Sequence, residues 1–235
     1  MTAGSDTRVG DLEAYLATPS TPGPWPGLVL VHEAFGLDDN MRAHADRLAA
    51  AGYLTLAPDL LSRGRRVACL AATFAALRRG GGTAFDDIEA ARRRLLEDSR
   101  CTGRVGVVGF CLGGSFALVL AGRPGWDAAV VNYGALPSSP EVLDEACPVV
   151  ASYGGRDRSL RGVADRLDGA LRERGVPRDV REYPAAGHSF LNPEPSVPWF
   201  LAPISRFVLH AGPEPESAEH AWHRIDGFLA EHLGA

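Results

Sequence analysis

The sequence lacks a CxxC pair, an excess of positive charge, a dinucleotide fingerprint and any long apolar run, and each absence removes a class of function. Its four cysteines, Cys69, Cys101, Cys111 and Cys147, stand far apart, which opposes both a zinc ribbon and a thioredoxin-like redox pair. A formal net charge of −5 argues against a nucleic-acid or anionic-membrane surface as the main partner. The clusters Arg92-Arg93-Arg94 and Arg78-Arg79 read as solvated helix faces. No apolar stretch approaches the roughly 20 residues that span a bilayer. The start, MTAGSDTRVGDLEAYLATP, has no basic stretch leading into an apolar core, so no secretory signal is expected. The expectation is a cytoplasmic protein with reduced thiols. His32, His44, His210, His220, His223 and His232 show no metal-ligand spacing, so no metal is expected, and no organic cofactor is implied.

What is present suits one large domain over residues 1–235, without a linker or an internal repeat. The chain is 46% hydrophobic and 23% charged, ordinary for a globular protein. At this length it buries about three-quarters of its unfolded surface and needs no staples. Short apolar runs bounded by glycine and proline predict strands at 27–33, 53–61, 103–110, 127–134, 147–155 and 178–184. Helical spacing predicts helices over 39–53, 66–79, 84–98, 114–122, 160–175 and 217–233. Apolar strands alternating with helices imply an α/β protein, with a mostly parallel central sheet and helices on both faces. Sites on such sheets lie beyond the carboxyl ends of the strands. That rule places Glu33, Cys111, Asp157 and His188 at one edge, since each follows a strand directly. The proline-rich stretch 193–215 is the least regular, and reads as a lid or a long crossing loop.

One stretch carries chemistry: VGVVGFCLGGSFALVLAG, residues 105–122. A nucleophile on a strand-to-helix elbow is held in a strained conformation above the sheet, and the residues two before and two after it must be small. Gly109 and Gly113 fill those places around Cys111. The helix N-terminus behind the sulfur favours thiolate over the reference pKa near 8.5, and the Leu112 N–H would point at a substrate oxyanion. Taken alone, the motif also fits a small buried cysteine among packing glycines. The partners favour chemistry. Asp157 in SYGGRDRSL lies 46 residues past Cys111, and His188 in YPAAGHSF lies 31 further on, each just after a strand. Singly, Asp157 fits a turn or helix cap and His188 an ordinary loop histidine. Together, nucleophile, acid and histidine follow the chain order of the α/β-hydrolase fold. Glu33, a carboxylate at the end of an apolar strand, needs a partner or water unless it is exposed there.

The segments GFCLGG, GGRDRSL and AGHSF, with VHEAFGLDDNMRAHADRLAAAGYLTLAPDLL near the start, resemble the dienelactone hydrolase family over residues 9–191 and the C-terminal helix. The resemblance implies Cys111 as nucleophile, His188 as base and Asp157 as its orienting carboxylate. It implies that Glu33 contacts the resting thiol and helps to form the thiolate, and that the Ala34 N–H joins that of Leu112 as oxyanion donor. Phe35, Tyr133 and Asn192 are the candidate substrate contacts. The family's carboxylate-binding arginine four residues after the histidine is Asn192 here. Its second arginine corresponds by counting to Cys69, with Arg63, Arg65, Arg66 and Arg78 nearby. The expected reaction is cleavage of a small-molecule ester or lactone through a thioester. The departures predict a neutral, moderately apolar substrate, with Phe190, Leu191, Trp199 and Phe200 as an apolar wall. A general carboxylesterase or thioesterase, and a catalytically silent ligand-binding protein of the same fold, remain the alternatives.

Overall fold

The computed structural model describes residues 4–195 and 205–234. In chain order the elements are β1 (Ser5–Val9), β2 (Leu12–Ala17), β3 (Trp25–Val31), α1 (Asp39–Ala50), β4 (Leu54–Pro58), α2 (Arg66–Arg79) and α3 (Thr83–Leu96). Then follow β5 (Cys101–Phe110), α4 (Leu112–Ala121), β6 (Ala129–Asn132), β7 (Val149–Gly154), α5 (Val163–Glu173), β8 (Arg178–Tyr183) and α6 (Pro215–Leu233). The eight strands form one sheet in the order β1-β2-β4-β3-β5-β6-β7-β8. From β4 to β8 all pairings are parallel, while β1–β2 and β2–β4 are antiparallel.

The predicted strands and helices are all there, with shifted ends. The helix after the elbow begins at Leu112 rather than residue 114, directly behind Cys111. The N-terminal hairpin is the addition, with Val9 paired to Leu12 across a Gly10-Asp11 turn. Of the irregular stretch, 196–204, with Trp199 and Phe200, lies outside the described residues. Ser205–Leu209 forms a π-helical turn.

Strands β3 and β5 are buried on both sides from Gly27 to Val31 and from Val105 to Phe110, because helices cover both faces. Gly109 and Phe110 point to opposite faces of β5, as neighbours on a strand must. Phe110 packs with His44 of α1 (ring centroids 4.4 Å apart) and Trp222 of α6 (6.2 Å). On the Gly109 side lies α4, which meets α3 through Phe116 and Phe85 at 4.7 Å. Burying side chains such as Trp222, Ile225 and Leu229 of α6 contributes about 1.5–3 kcal/mol each and docks the last helix. Arg224 rivets that helix to the sheet, donating to the Asp179 carboxylate at 2.8 Å and to the Tyr183 hydroxyl at 3.1 Å.

Candidate active site

The elbow after β5 holds Cys111 at φ 55° and ψ −115°, a left-handed backbone that costs a non-glycine residue about 1–3 kcal/mol. The turn is tight enough to exclude any side chain at its flanks. A Cβ on Gly109 would run into the Gly113 carbonyl, and one on Gly113 into the Val31 carbonyl of β3. The Cys111 N–H donates to the Asn132 carbonyl at 3.0 Å, which ties the elbow to β6. The result is a half-buried thiol at the N-terminus of α4.

His188 follows β8, and its Nδ1 lies 2.6 Å from Asp157 Oδ2. An ionised carboxylate only accepts, so Nδ1 carries the proton and Nε2 is left for chemistry. Asp157 is itself fixed, its Oδ1 taking hydrogen bonds from the Ser159 N–H (2.9 Å) and hydroxyl (2.6 Å). Burial pushes the Asp157 pKa up, but His188 and Ser159 outweigh it and hold it below the usual carboxylate range. The His188 ring also interacts with the Cys111 sulfur, and both face the same cleft. Burial disfavours imidazolium, yet the Cys111 charge and the Asp157 hydrogen bond prevail, and the His188 pKa is pushed up to about 10. The His188 backbone is held by the segment after 204: its N–H donates to the Leu209 carbonyl (2.9 Å), and the Gly212 N–H donates to the His188 carbonyl (3.1 Å).

Glu33 interacts with the His188 charge and is only 2% exposed. The Ser189 hydroxyl donates to its Oε1 at 2.8 Å and the Asn192 amide to its Oε2 at 3.2 Å. Burial raises its pKa, and Ser189, the His188 charge and Asn192 offset only part of that. His32 fixes the backbone here. Leu60 N–H donates to its Nε2 (3.0 Å), so Nδ1 carries the proton and donates to the Glu33 carbonyl (2.6 Å). Burial lowers the His32 pKa and keeps the ring neutral. The peptide that bears the Ala34 N–H is thereby set, and Arg66 donates to the Phe35 carbonyl, two residues beyond that of Glu33, at 2.7 Å.

Cys111 and His188 open into a cleft of about 350 Å³. Leu112, Ser115 and Val119 line it along α4, Phe74, Leu77 and Arg78 along α2, and Ala135–Ser138 and Leu160 close the remainder. Tyr133 also lines it, its ring 5.0 Å from that of His188. Burial and the nearby Glu33 and Cys111 charges keep the Tyr133 hydroxyl pKa well above its ordinary value. Phe35 and Asn192 do not line this cleft. Asn192, expected to touch substrate, is 2% exposed and sits between Glu33 and His44. The Leu191 and Phe190 side chains are buried rather than forming an entrance wall.

The arrangement brings Cys111, His188 and Asp157 together, with Glu33 close enough to interact with the His188 charge. Sequence reasoning passed over Ser159, Ser189 and the place of His32; of the four nearby arginines it offered, Arg78 lines the cleft. Only Ser159 had a local signal, a hydroxyl two residues after an aspartate in a turn. Residues 12–233 match the dienelactone hydrolase family. The chain belongs to that family. Among the relatives, a protein of Methylorubrum extorquens is 32% identical over 199 residues, covering 77% of this chain and 68% of its own. The carboxymethylenebutenolidase of Pseudomonas putida is 30% identical over 206 residues, covering 81% of this chain and 86% of its own. The structure of a dienelactone hydrolase from Anabaena variabilis superposes with a TM-score of 0.71 at 22% identity, covering 99% of this chain and 98% of its own. This dienelactone hydrolase family member is therefore a hydrolase with the α/β-hydrolase fold. Among the described residues no helix is long and apolar enough to cross a membrane.

Proposed function

We propose that this chain hydrolyses a neutral, moderately apolar ester or lactone through a thioester on Cys111. The observation that carries the reading is the His188 ring, bound at Nδ1 to Asp157 at 2.6 Å and flanked by the Cys111 sulfur at the mouth of the cleft. With His188 as imidazolium, the Cys111 thiolate attacks the carbonyl carbon, and the carbonyl electron pair moves to oxygen. The Leu112 and Ala34 N–H groups receive that oxyanion, a contribution of about 3–4 kcal/mol per donor in comparable sites. Collapse expels the alkoxide, which takes the proton from His188 Nε2, leaving a thioester and a neutral imidazole. His188 then removes a proton from water as the water oxygen attacks the thioester, and the thiolate departs to restore the ion pair.

The pKa relationships support this cycle. In the resting site the sulfur charge is the leading reason that His188 holds its proton. Once the sulfur is acylated that charge is gone, and the imidazole becomes a base when a base is needed. Glu33, which interacts with the His188 charge, supports the imidazolium from below. A panel of chromogenic esters, thioesters and unsaturated lactones, run with wild type and Cys111→Ala, tests the reading. Turnover that vanishes in Cys111→Ala supports it, and the substrate ranking separates lactone hydrolysis from general carboxylesterase or thioesterase activity. Stabilisation by these compounds without turnover in wild type would instead point to a ligand-binding protein.

A further inference from the structure

His44 takes no part in the reaction above, yet it is one of the most deeply embedded polar side chains, 3% exposed. It lies flat on Phe110, with ring centroids 4.4 Å apart and planes 6° apart, and Trp222 covers it at 5.4 Å. For packing alone a phenylalanine would serve. The imidazole adds one polar contact, His44 Nε2 to Asn192 Oδ1 at 3.0 Å. Asn192 in turn gives its amide N–H to Glu33 Oε2 at 3.2 Å. Histidine, asparagine and the active-site glutamate thus form a chain inside the protein.

The direction of that chain follows from donor and acceptor chemistry. The Asn192 NH₂ faces Glu33 Oε2 and its Oδ1 faces His44, the orientation that suits an ionised Glu33, which only accepts. An oxygen facing His44 requires a proton on Nε2. Burial lowers the His44 pKa to about 4, so near neutral pH the ring is uncharged and has a single proton to place. The reverse amide orientation would set Oδ1 against Glu33, and only a protonated Glu33 could then donate to it.

We propose that His44 is a positioning residue: by donating to Asn192 Oδ1 it holds the Asn192 NH₂ toward Glu33, and so keeps Glu33 ionised beside His188. Among the described residues, the charged and titratable groups that face Glu33 include His188, Tyr133 and Asp38, and Ser189 and Asn192 are neutral donors to it. His188 and the two donors favour the carboxylate, whereas Asp38 and burial oppose it. In that balance, turning one donor into an acceptor changes the protonation of Glu33.

The consequence for turnover rests on the hydrolase reading; the effect on Glu33 does not. The experiment is a titration of Glu33 by NMR in ¹³C-glutamate-labelled protein, with the resonance assigned through Glu33→Gln. In His44→Phe, which keeps the ring stack and removes the donor, the Glu33 midpoint rises by about one to two pH units. His44→Gln, whose amide can donate from the place of Nε2, restores it. With an ester substrate, kcat falls by about tenfold in His44→Phe with KM nearly unchanged, because His44 does not line the cleft. A folded His44→Phe with an unshifted Glu33 midpoint overturns the proposal. Should that variant not fold, the ¹⁵N spectrum of wild type decides: a neutral Nε2–H tautomer between about pH 5 and 8 upholds it and an Nδ1–H tautomer sinks it. A wild type without Cys111-dependent turnover defeats the hydrolase reading alone, since the titration is read without substrate.

Discussion

His188 and Asp157 meet through Nδ1 and Oδ2 at 2.6 Å, and Asp157 turns its other oxygen to Ser159. That contact fixes the tautomer and orients the ring, so the carboxylate serves His188 geometrically as well as electrostatically. Asp157→Asn keeps the shape but offers an NH₂ or a weaker acceptor to Nδ1. The expected result is a near-normal melting temperature with kcat reduced by about 10³–10⁴-fold. Ser159→Ala removes only one support of Asp157 and costs about tenfold. Combining Cys111→Ala with His188→Ala adds little to either alone, because the two act as a unit. Full activity in Asp157→Asn would defeat the assignment.

Thiol reactivity separates Cys111 from a packing cysteine. Burial and the Asp127 charge push the Cys147 pKa up to about 12, so it reacts slowly near neutral pH. Cys111 is half-buried, faces the cleft and has an imidazole beside it. Iodoacetamide followed by peptide mapping should find Cys111 modified first among the four, and His188→Ala should slow that modification. Labelling spread evenly over the cysteines would contradict a catalytic thiol.

The proton on His188 reports on the sulfur. Burial pulls its pKa down, while the Cys111 charge leads the influences that raise it to about 10. Cys111→Ala leaves the burial and Asp157 in place and removes the leading support. The His188 midpoint, followed by imidazole NMR, should therefore fall by more than about one pH unit. In the proposed cycle the same fall accompanies acylation, so that one histidine serves as an acid first and a base afterwards. An unshifted midpoint would mean that Asp157 alone holds the proton.

The elbow was legible because its constraint is local: strand, helix and the Cys111 turn fit together only with glycine at 109 and 113, and the chain supplies both. The order of Cys111, Asp157 and His188 was legible because each closes a strand. The β1–β2 hairpin was missed although its signal, a Gly10-Asp11 turn between two short runs, was present. Mixed polar sequence such as SDTRV hides an edge strand, whose burial is sparse. The place of Asn192 was not legible at all. Whether a loop residue faces a cleft or the core depends on helices α1 and α6 packing behind it, and no local pattern encodes that.

Two glycine substitutions test the elbow against an ordinary helix. Alanine at Gly113 drives its Cβ into the Val31 carbonyl, and neither backbone can give way cheaply. The expected loss exceeds about 3 kcal/mol, seen as a large fall in melting temperature or as no folded protein. Gly227 lies inside α6, and a Cβ there meets nothing within 4 Å. Gly227→Ala should stabilise by about 0.4–1 kcal/mol through the unfolded chain. Comparable effects at the two positions would mean that the elbow is looser than described.

The last prediction concerns charge on the substrate. Among the described residues lining the cleft, Arg78 is the one charged side chain beyond the Cys111–His188 pair, and it is exposed. A carboxylate in an apolar cleft forfeits hydration, and an exposed arginine returns at most about 1 kcal/mol. Asn192 offers no anion site in this cleft, being buried between Glu33 and His44. A methyl ester of a lactone acid should therefore exceed the free acid in kcat/KM by about tenfold or more in wild type. Arg78→Ala should lower kcat/KM for the acid by about three- to fivefold and leave the ester nearly unchanged. Asn192→Arg should not rescue the acid, because a guanidinium there pairs with Glu33 before it reaches the cleft. If wild type prefers the acid and Arg78→Ala reverses that order, the apolar walls are not what selects the substrate, and Arg78 is its anchor.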